Sequence, residues 1–365
     1  MTDTIAEINL NNLVYNINQI RKKVFPSLII PVVKADAYGH GAIAVTKCLA
    51  KQGVKLFAVA RFKEAMELRD SGISEPILIF GRLFPEQIPE AINADFRISL
   101  FCKQDIAWIQ KADFKKQAKV HVNLETGMGR IGALIEQEPD FFDVLTESDC
   151  IWEGLYSHFS TSDCHDKTFA NIQLSKFKRF LSQMQGKKKQ PFVVHMANSG
   201  AVLDIKESFF NAVRPGIIMY GYYPSFETSE SVEIKQVMTF KTFVSHIRKM
   251  PVGHPVSYGR RWITKKPTKI AVLPVGYADG VRRDLTNNGQ VIIRCKIYKM
   301  VGTVTMDHIM INIGDDPVSI GDEAILWGDS DQGAIQLLEI ATRINTIPYE
   351  LTCGVSKRVK RFYTY

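Results

Sequence analysis

Lys34 stands where two kinds of sequence meet. Before it runs an apolar stretch, Leu28 to Val33, which reads as a buried strand; after it comes Ala35-Asp36-Ala37-Tyr38-Gly39-His40-Gly41, a glycine-bearing turn. Ala42 to Lys51 then spaces Ile43, Val45 and Leu49 as a helix would. An ammonium is costly to desolvate, so a lysine buried at such a strand end has a lowered pKa and a nucleophilic amine. At an arbitrary strand end a lysine snorkels to solvent instead, and its company must decide. That company includes Glu125, Arg130, His158, Asn198-Ser199-Gly200 and Arg214-Pro215-Gly216-Ile217. Small hydroxyls and backbone amides beside glycine suit a phosphate, which would fit Ser199, Gly216 and Ile217. Singly each signal is weak, since Asn-Ser-Gly is far more often just a turn.

The elements that must position these residues read as an α/β fold. Candidate strands are Leu28–Val33, Leu56–Ala60, Pro76–Phe80, Arg97–Phe101, Lys119–Leu124, Gly154–His158, Pro191–His195 and Ala212–Arg214. Amphipathic stretches such as Phe62–Arg69, Phe141–Glu147 and Phe169–Met184 lie between them. Strands alternating with helices in this way fit a (β/α)8 TIM barrel better than an open sheet. Every candidate residue then falls at a carboxyl end of a strand, where barrels carry their sites, and the loops after the seventh and eighth strands are the usual phosphate place. A buried lysine opposite a phosphate cradle points to a phosphorylated cofactor that lysine can hold as an imine, and pyridoxal 5'-phosphate fits.

After Tyr223-Pro224-Ser225 the texture changes. Polar residues from Phe226 to Glu233 read as a linker. Alternating segments follow: Met238–Ile247, Lys269–Val275, Gln290–Ile297, Gly302–Thr305, Ile309–Ile313 and Glu323–Trp327, with turns at Asn288-Gly289 and Gly314-Asp315-Asp316. A helix over Ala334 to Ile344 precedes a terminal Val355–Tyr363 segment. The expected division is residues 1–230 as a cofactor-binding barrel and residues 231–365 as a mainly β domain.

With 45% hydrophobic and 23% charged residues the chain is of ordinary globular composition. No run approaches the roughly 20 apolar residues that span a bilayer, and the N-terminus lacks the pattern of a secretory signal, so a cytoplasmic protein is expected. The six cysteines form no CxxC pair, which argues against a zinc site or a disulfide framework. The net charge of +8 is dispersed, and the short Lys187-Lys188-Lys189 run reads as a solvated loop, so neither nucleic acid nor membrane is an expected partner. An anionic small molecule is compatible.

Nearly the whole chain resembles the alanine racemases of the pyridoxal-phosphate-dependent, barrel-plus-β-domain type. The resemblance is carried by Val33-Lys34-Ala35-Asp36-Ala37-Tyr38-Gly39-His40-Gly41, Glu125-Thr126-Gly127-Met128-Gly129-Arg130-Ile131-Gly132, His195-Met196-Ala197-Asn198-Ser199 and Arg214-Pro215-Gly216-Ile217. In the second domain it is carried by Val256-Ser257-Tyr258-Gly259-Arg260, Val275-Gly276-Tyr277-Ala278-Asp279-Gly280 and Met306-Asp307. It implies that Lys34 carries the cofactor and, once freed, serves as one base at the substrate α-carbon, with Tyr258 as the other on the opposite face. An ordinary tyrosine pKa near 10 is too high for that work; His158 with Arg130 or Arg214 are the expected sources of positive charge. It further implies phosphate contacts from Tyr38, Ser199, Gly216 and Ile217, with Asn198 also binding the cofactor and His158 against the ring. Arg214 would face the pyridine nitrogen, with His195 orienting it from behind. Arg130, helped by the Met306 backbone, would receive the substrate carboxylate, with Asn123 and Tyr277 in support.

Two positions depart from the family pattern. Where several relatives carry a carbamylated lysine this chain has Asn123, which can position Arg130 only as a neutral group. In the Val355-Ser356-Lys357-Arg358-Val359-Lys360-Arg361 block, Lys357 occupies the place of a tyrosine that reaches the phosphate in many relatives. The resemblance also implies a head-to-tail homodimer in which Tyr258 and Met306 serve the partner's site. The expected reaction is interconversion of L- and D-alanine, which in bacteria supplies D-alanine for peptidoglycan. The alternative is a racemase of another small amino acid such as serine, or one of broad specificity; Tyr277 and Tyr349 suggest a narrow pocket. A related decarboxylase would want a carboxylate in place of Arg214, and a single-barrel carrier would lack the second domain.

Overall fold

The computed structural model describes residues 3–112, 116–184 and 190–365, and Lys187-Lys188-Lys189 lies outside them. Among the described residues one sheet consists of eight parallel strands in the order Leu28–Ile29, Ala212–Val213, Val193–His195, Ile151–Tyr156, Lys119–Asn123, Phe96–Leu100, Ile77–Ile79 and Phe57–Val59. The sheet closes on itself where Val32 bridges Ala58: the Val33 N–H donates to Ala58 O at 2.9 Å and the Ala58 N–H to Pro31 O at 3.0 Å. Strands buried on both faces are apolar throughout, as in the fully buried Phe57-Ala58-Val59 and Ile77-Leu78-Ile79, while others carry buried polar groups such as Arg97, His121 and Glu153.

The helices follow the expected pattern. Ala42–Lys51 and Phe141–Glu147 keep their expected bounds, and Phe62–Asp70 and Thr168–Met184 each differ by one residue. Leu10–Val24 turns a buried stripe of Leu10, Leu13, Ile17, Ile20 and Val24 to the core, and Asn9 caps it by accepting the Asn12 N–H at 2.9 Å. The expected Gly154–His158 strand is shifted: the strand is Ile151–Tyr156, so His158 stands two residues beyond its end.

The second sheet is mainly antiparallel. Along it run His246–Met250, Thr268–Leu273, Ile309–Gly314, Lys296–Met300, Gln290–Ile293, Glu323–Ser330, Met238–Phe243, Ile5–Asn9 and Lys360–Thr364. Ile5–Asn9 pairs with Met238–Phe243 and, in parallel, with Lys360–Thr364, so the start of the chain belongs to this sheet, which the expected division at 230/231 does not anticipate. Four other expectations are corrected. Gln290–Ile297 is a hairpin, folding back at Arg294 and Cys295, both left-handed (φ 51° and 60°); neither is the Gly or Asn that announces such a turn. Met238–Ile247 is two strands broken at Val244-Ser245, and Gly302–Thr305 is a loop. The expected Ala334–Ile344 helix is confined to Leu337–Arg343, because Gly333–Ile335 pairs as a strand, and a further helix, Pro348–Gly354, packs on the turn after Lys34.

Candidate active site

The Lys34 turn is built against local preference. Ala35, Asp36, Ala37 and Tyr38 are all left-handed (φ 52–54°), a conformation costing L-residues roughly 1–2 kcal/mol each. Four in succession persist only because the surroundings hold them. The Glu64 carboxylate accepts the Ala35 N–H at 2.6 Å, Asp36 Oδ1 accepts the Ala42 N–H at 2.7 Å, and Arg361 Nε donates to Gly39 O at 3.0 Å. Gly39 is required, since a Cβ there would lie 2.2 Å from Thr352 O. The C-terminal domain therefore braces the turn that aims Lys34. Burial first, then the Arg130 charge, lowers the Lys34 pKa, with Glu64 opposing.

Lys34 opens onto a cavity of about 340 Å³ lined by Tyr38, Asn123, Arg130, His158, Asn198, Ser199, Arg214, Gly216 and Tyr349, among others. Its lining holds three cations and no carboxylate. At one end the Gly216 N–H donates to Ser199 Oγ at 2.9 Å, and a Cβ on Gly216 would sit 2.4 Å from Tyr38 Oη. Asn198 shapes this end by accepting Ser162 Oγ–H (2.7 Å) and the Ala201 N–H (3.1 Å). Ile217 is fully buried and outside the lining, so anything it offers a ligand comes through its backbone.

Arg214 crosses the cavity floor. Its Nη1 donates to His195 O (2.8 Å) and meets His195 Nδ1 at 2.7 Å; its Nη2 donates to Ser157 O (2.7 Å) and Met196 O (3.1 Å) and lies 3.3 Å from His158 Nδ1. The guanidinium sits over Tyr156, 5.2 Å from the ring centre. An arginine only donates, so both histidine nitrogens must accept. Burial, aided by Arg214, lowers the pKa of His158 and His195 well below the ordinary value, which agrees with neutral rings; the positive charge expected of His158 is therefore absent, and Arg130 and Arg214 are left as its sources. Burial brings Arg214 itself down to about 10, still a cation at neutral pH. His195 lies behind Arg214, outside the cavity, as expected.

At the two departures the structure is specific. Asn123 Nδ2 donates to Ile131 O at 3.0 Å, so it fixes the loop carrying Arg130 and makes no bond to Arg130 itself. Glu125 caps the following turn by accepting the Gly127 (2.5 Å) and Gly129 (3.0 Å) N–H groups. Lys357 is exposed and does not reach the cavity. The tyrosine at the cavity wall is Tyr349, its ring centre 5.8 Å from that of Tyr38; Pro348 at the helix start marks its element, yet nothing in the spacing aims it there.

Tyr258, Tyr277 and Met306 are brought together elsewhere. They line an open depression on the second domain and are 74%, 45% and 51% exposed. Tyr258 follows Ser257 (φ 64°) and precedes Gly259 and Arg260 (φ 72° and 50°), another strained turn. Ser257 Oγ donates to Thr303 O at 2.6 Å, and Thr303 Oγ1 to Tyr258 O at 2.7 Å. Within one chain, neither Tyr258 nor Met306 lines the Lys34 cavity.

Comparison with known proteins agrees with both halves. Residues 8–224 match the family described as "Alanine racemase, N-terminal domain", and residues 237–363 match "Alanine racemase, C-terminal domain". The chain is 40% identical to alanine racemase 2 of Caldanaerobacter subterraneus subsp. tengcongensis, covering 99% of this chain and 95% of that protein. It is 42% identical to alanine racemase 1 of Clostridium acetobutylicum, covering 98% and 94%. Its structure is similar to that of the Bacillus anthracis alanine racemase with bound L-Ala-P, at 34% identity and a TM-score of 0.93 over 100% of this chain and 96% of that one.

Proposed function

The chain belongs to the alanine racemase family, and on that premise we propose that Lys34 and Tyr258 are the two bases with which it works on pyridoxal 5'-phosphate. It is an isomerase that interconverts L- and D-alanine. The observation that carries the residue assignment is the cavity: a lysine of lowered pKa opposite an amide-and-hydroxyl cradle, in a cationic wall without carboxylate. A phosphate and an amino-acid carboxylate are the anions such a cavity suits. Gly216, whose Cβ would strike Tyr38, leaves the opening that a phosphate needs.

When bound, the cofactor joins to amines through its aldehyde carbon and its conjugated ring delocalises the electron pair left at the α-carbon. The chain's own groups do the rest. Tyr38, Asn198, Ser199 and the Gly216 and Ile217 backbone would hold the phosphate end of the cofactor, with Tyr349 closing that wall. Arg214 would donate a hydrogen bond to the pyridine nitrogen and, keeping its proton, would leave that nitrogen unprotonated; this would limit how far the ring draws electrons and disfavour decarboxylation and transamination. Neutral His158, in the cavity lining, would lie against the ring. Arg130 would take the carboxylate, and Met306, which lies outside its own chain's cavity, would bring its backbone there only from a second copy. Lys34 moves the proton at one face of the α-carbon, acting on D-alanine, and Tyr258 moves it at the other, acting on L-alanine.

Residues 1–230 thus hold the cofactor and residues 231–365 supply the second base. Since Tyr258 stands outside its own chain's cavity, we assign it to the cavity of a second copy in a homodimer with shared sites. None of the six cysteines is in a disulfide, which suits the reducing cytoplasm, where D-alanine would be made for peptidoglycan. Among the described residues no helix is long and apolar enough to cross a membrane. The test is a racemisation assay by chiral separation over a panel of amino acids with added pyridoxal 5'-phosphate. Alanine should turn over fastest; faster serine turnover would reassign the substrate, and no turnover would defeat the reading.

A further inference from the structure

Behind Arg214 a line of buried polar groups runs through the barrel interior. His195 Nε2 lies 3.0 Å from His121 Nδ1, and His121 Nε2 lies 3.4 Å from Glu153 Oε1. Arg97 Nε donates to the same Glu153 oxygen at 2.9 Å, and Arg97 Nη1 reaches Asp95 at 3.0 Å. His121 and His195 are fully buried, and Arg97, Glu153 and Arg214 nearly so. Only one proton arrangement satisfies every member. Arg214 can only donate, so His195 Nδ1 accepts and its proton is on Nε2; His121 Nδ1 then accepts, and its Nε2 proton points to the Glu153 carboxylate, which can only accept.

Two local features serve this line. The pairing of Lys119–Asn123 with Ile151–Tyr156 shifts register between Val120↔Trp152 and His121↔Gly154, leaving Glu153 as the extra residue of a bulge. Bulges are rare in parallel pairs and re-aim a side chain; here the carboxylate turns to His121 and Arg97. Beside it Gly154 leaves room for the imidazole, since a Cβ there would lie 2.2 Å from His121 Nδ1.

We propose that His121 and Glu153 are positioning residues for the reaction: by ordering the protons of the His195–His121 pair in one direction, they fix the accepting nitrogen that holds Arg214. The role rests on the assignment of Arg214 to the pyridine nitrogen. Charge stands only at the ends, Arg214 at the cavity floor and Glu153 with Arg97 toward the strand starts, with two neutral rings between. The groups facing His195 are Arg214, His121 and the Tyr156 ring stacked 4.9 Å away; those acting on His121 are Glu153, Arg97, Arg214 and His195. Burial lowers the pKa of both rings, in keeping with this order.

The test uses the full chain with its cofactor, labelled with 15N-histidine, with Glu153→Gln as the variant because an amide can donate as well as accept. His121→Phe identifies the His121 signals. In the unaltered protein both imidazoles should be neutral, protonated on Nε2 and unchanged from about pH 5 to 9. Glu153→Gln should add a second tautomer and lower kcat roughly tenfold with KM for alanine unchanged. A charged or Nδ1-protonated His121 or His195 in the unaltered protein would overturn the proposal, as would Glu153→Gln with unaltered 15N shifts or unaltered kcat. Failure of the racemase reading is distinguishable, since it would appear as no turnover in the unaltered protein and leave its tautomers as they are.

Discussion

The barrel cavity and the Tyr258 face are both strained, and they are held in opposite ways. Around Lys34 four left-handed residues are locked by Glu64, Asp36, Arg361 and the Pro348–Gly354 helix, and the lysine looks into a cavity the chain itself encloses. Around Tyr258 a turn with three positive φ values is held equally firmly by Thr303, yet the side chain it presents is 74% exposed. Strain supported at both places but enclosed at only one is what the proposed sharing requires: a cavity that lacks its second base, and an exposed tyrosine held ready for the cavity of another copy. Pre-organising a side chain in solvent has no structural benefit to this chain.

That contrast sorts the expected effects of substitutions. Lys34→Ala should cost the most, on the order of 10⁴-fold or more in alanine turnover with loss of the covalently held cofactor, because it removes both a base and the attachment point. Tyr258→Phe should cost about 10²–10⁴-fold in turnover while leaving cofactor content and the absorbance of the attached cofactor unchanged. Near-normal turnover by the phenylalanine variant would dissolve the contrast.

Deeper in the barrel the effect moves to stability. Burial alone would raise the Glu153 pKa, but hydrogen bonds from His121 and Arg97 bring it down to about 2. A depressed carboxylate stabilises the fold above its unfolded pKa, and the contribution is lost as pH falls. The advantage over Glu153→Gln, roughly 3 kcal/mol by the size of the shift, should be complete above about pH 4.5 and shrink toward zero near pH 2. Urea midpoints at a series of pH values would measure it, and a difference that grows on acidification would contradict it. Gly216→Ala, which sets a methyl 2.4 Å from Tyr38 Oη, should weaken cofactor binding about tenfold in a fluorescence titration and leave urea stability within about 1 kcal/mol. Asn123→Ala should be mildest: losing one hydrogen bond to the Arg130 loop, about 1 kcal/mol, should raise KM for alanine less than about tenfold with kcat nearly unchanged.

Much of this arrangement was legible in the sequence. The apolar run before Lys34, the helical spacing after it and the strand–helix alternation follow from hydrophobic periodicity, and the motif blocks contain residues that line the cavity (Lys34, Arg130, Ser199, Arg214, Gly216) and the depression of the second domain (Tyr258, Tyr277, Met306). What stayed hidden depends on partners distant in sequence. Ala35, Asp36 and Ala37 carry no signal for left-handed backbone, which Glu64 and Arg361 impose from elsewhere. Arg294-Cys295 turns a hairpin without glycine, so the expectation ran straight through it. Ile5–Asn9 gives no sign that its neighbours come from the far end of the chain. Of the two tyrosines expected to narrow the pocket, Tyr349 lines the cavity, on the helix that docks on the Lys34 turn, whereas Tyr277 lies in the separate depression of the second domain; Lys357, which drew notice by its place in a motif, is exposed. His121 and Glu153 become meaningful only once a register shift in neighbouring strands faces them to one another.

The central claim is that each cavity is completed by the other copy's Tyr258, and subunit mixing tests it most directly. Lys34→Ala and Tyr258→Phe chains, each nearly inactive, are unfolded together in equal amounts, refolded with pyridoxal 5'-phosphate and assayed for alanine racemisation. Half of the dimers should then be mixed, each with one intact site, so activity should return to about a quarter of that of the unaltered protein treated alike. Activity no higher than the sum of the two separately refolded variants would contradict the shared site and place Tyr258 outside the reaction of its partner.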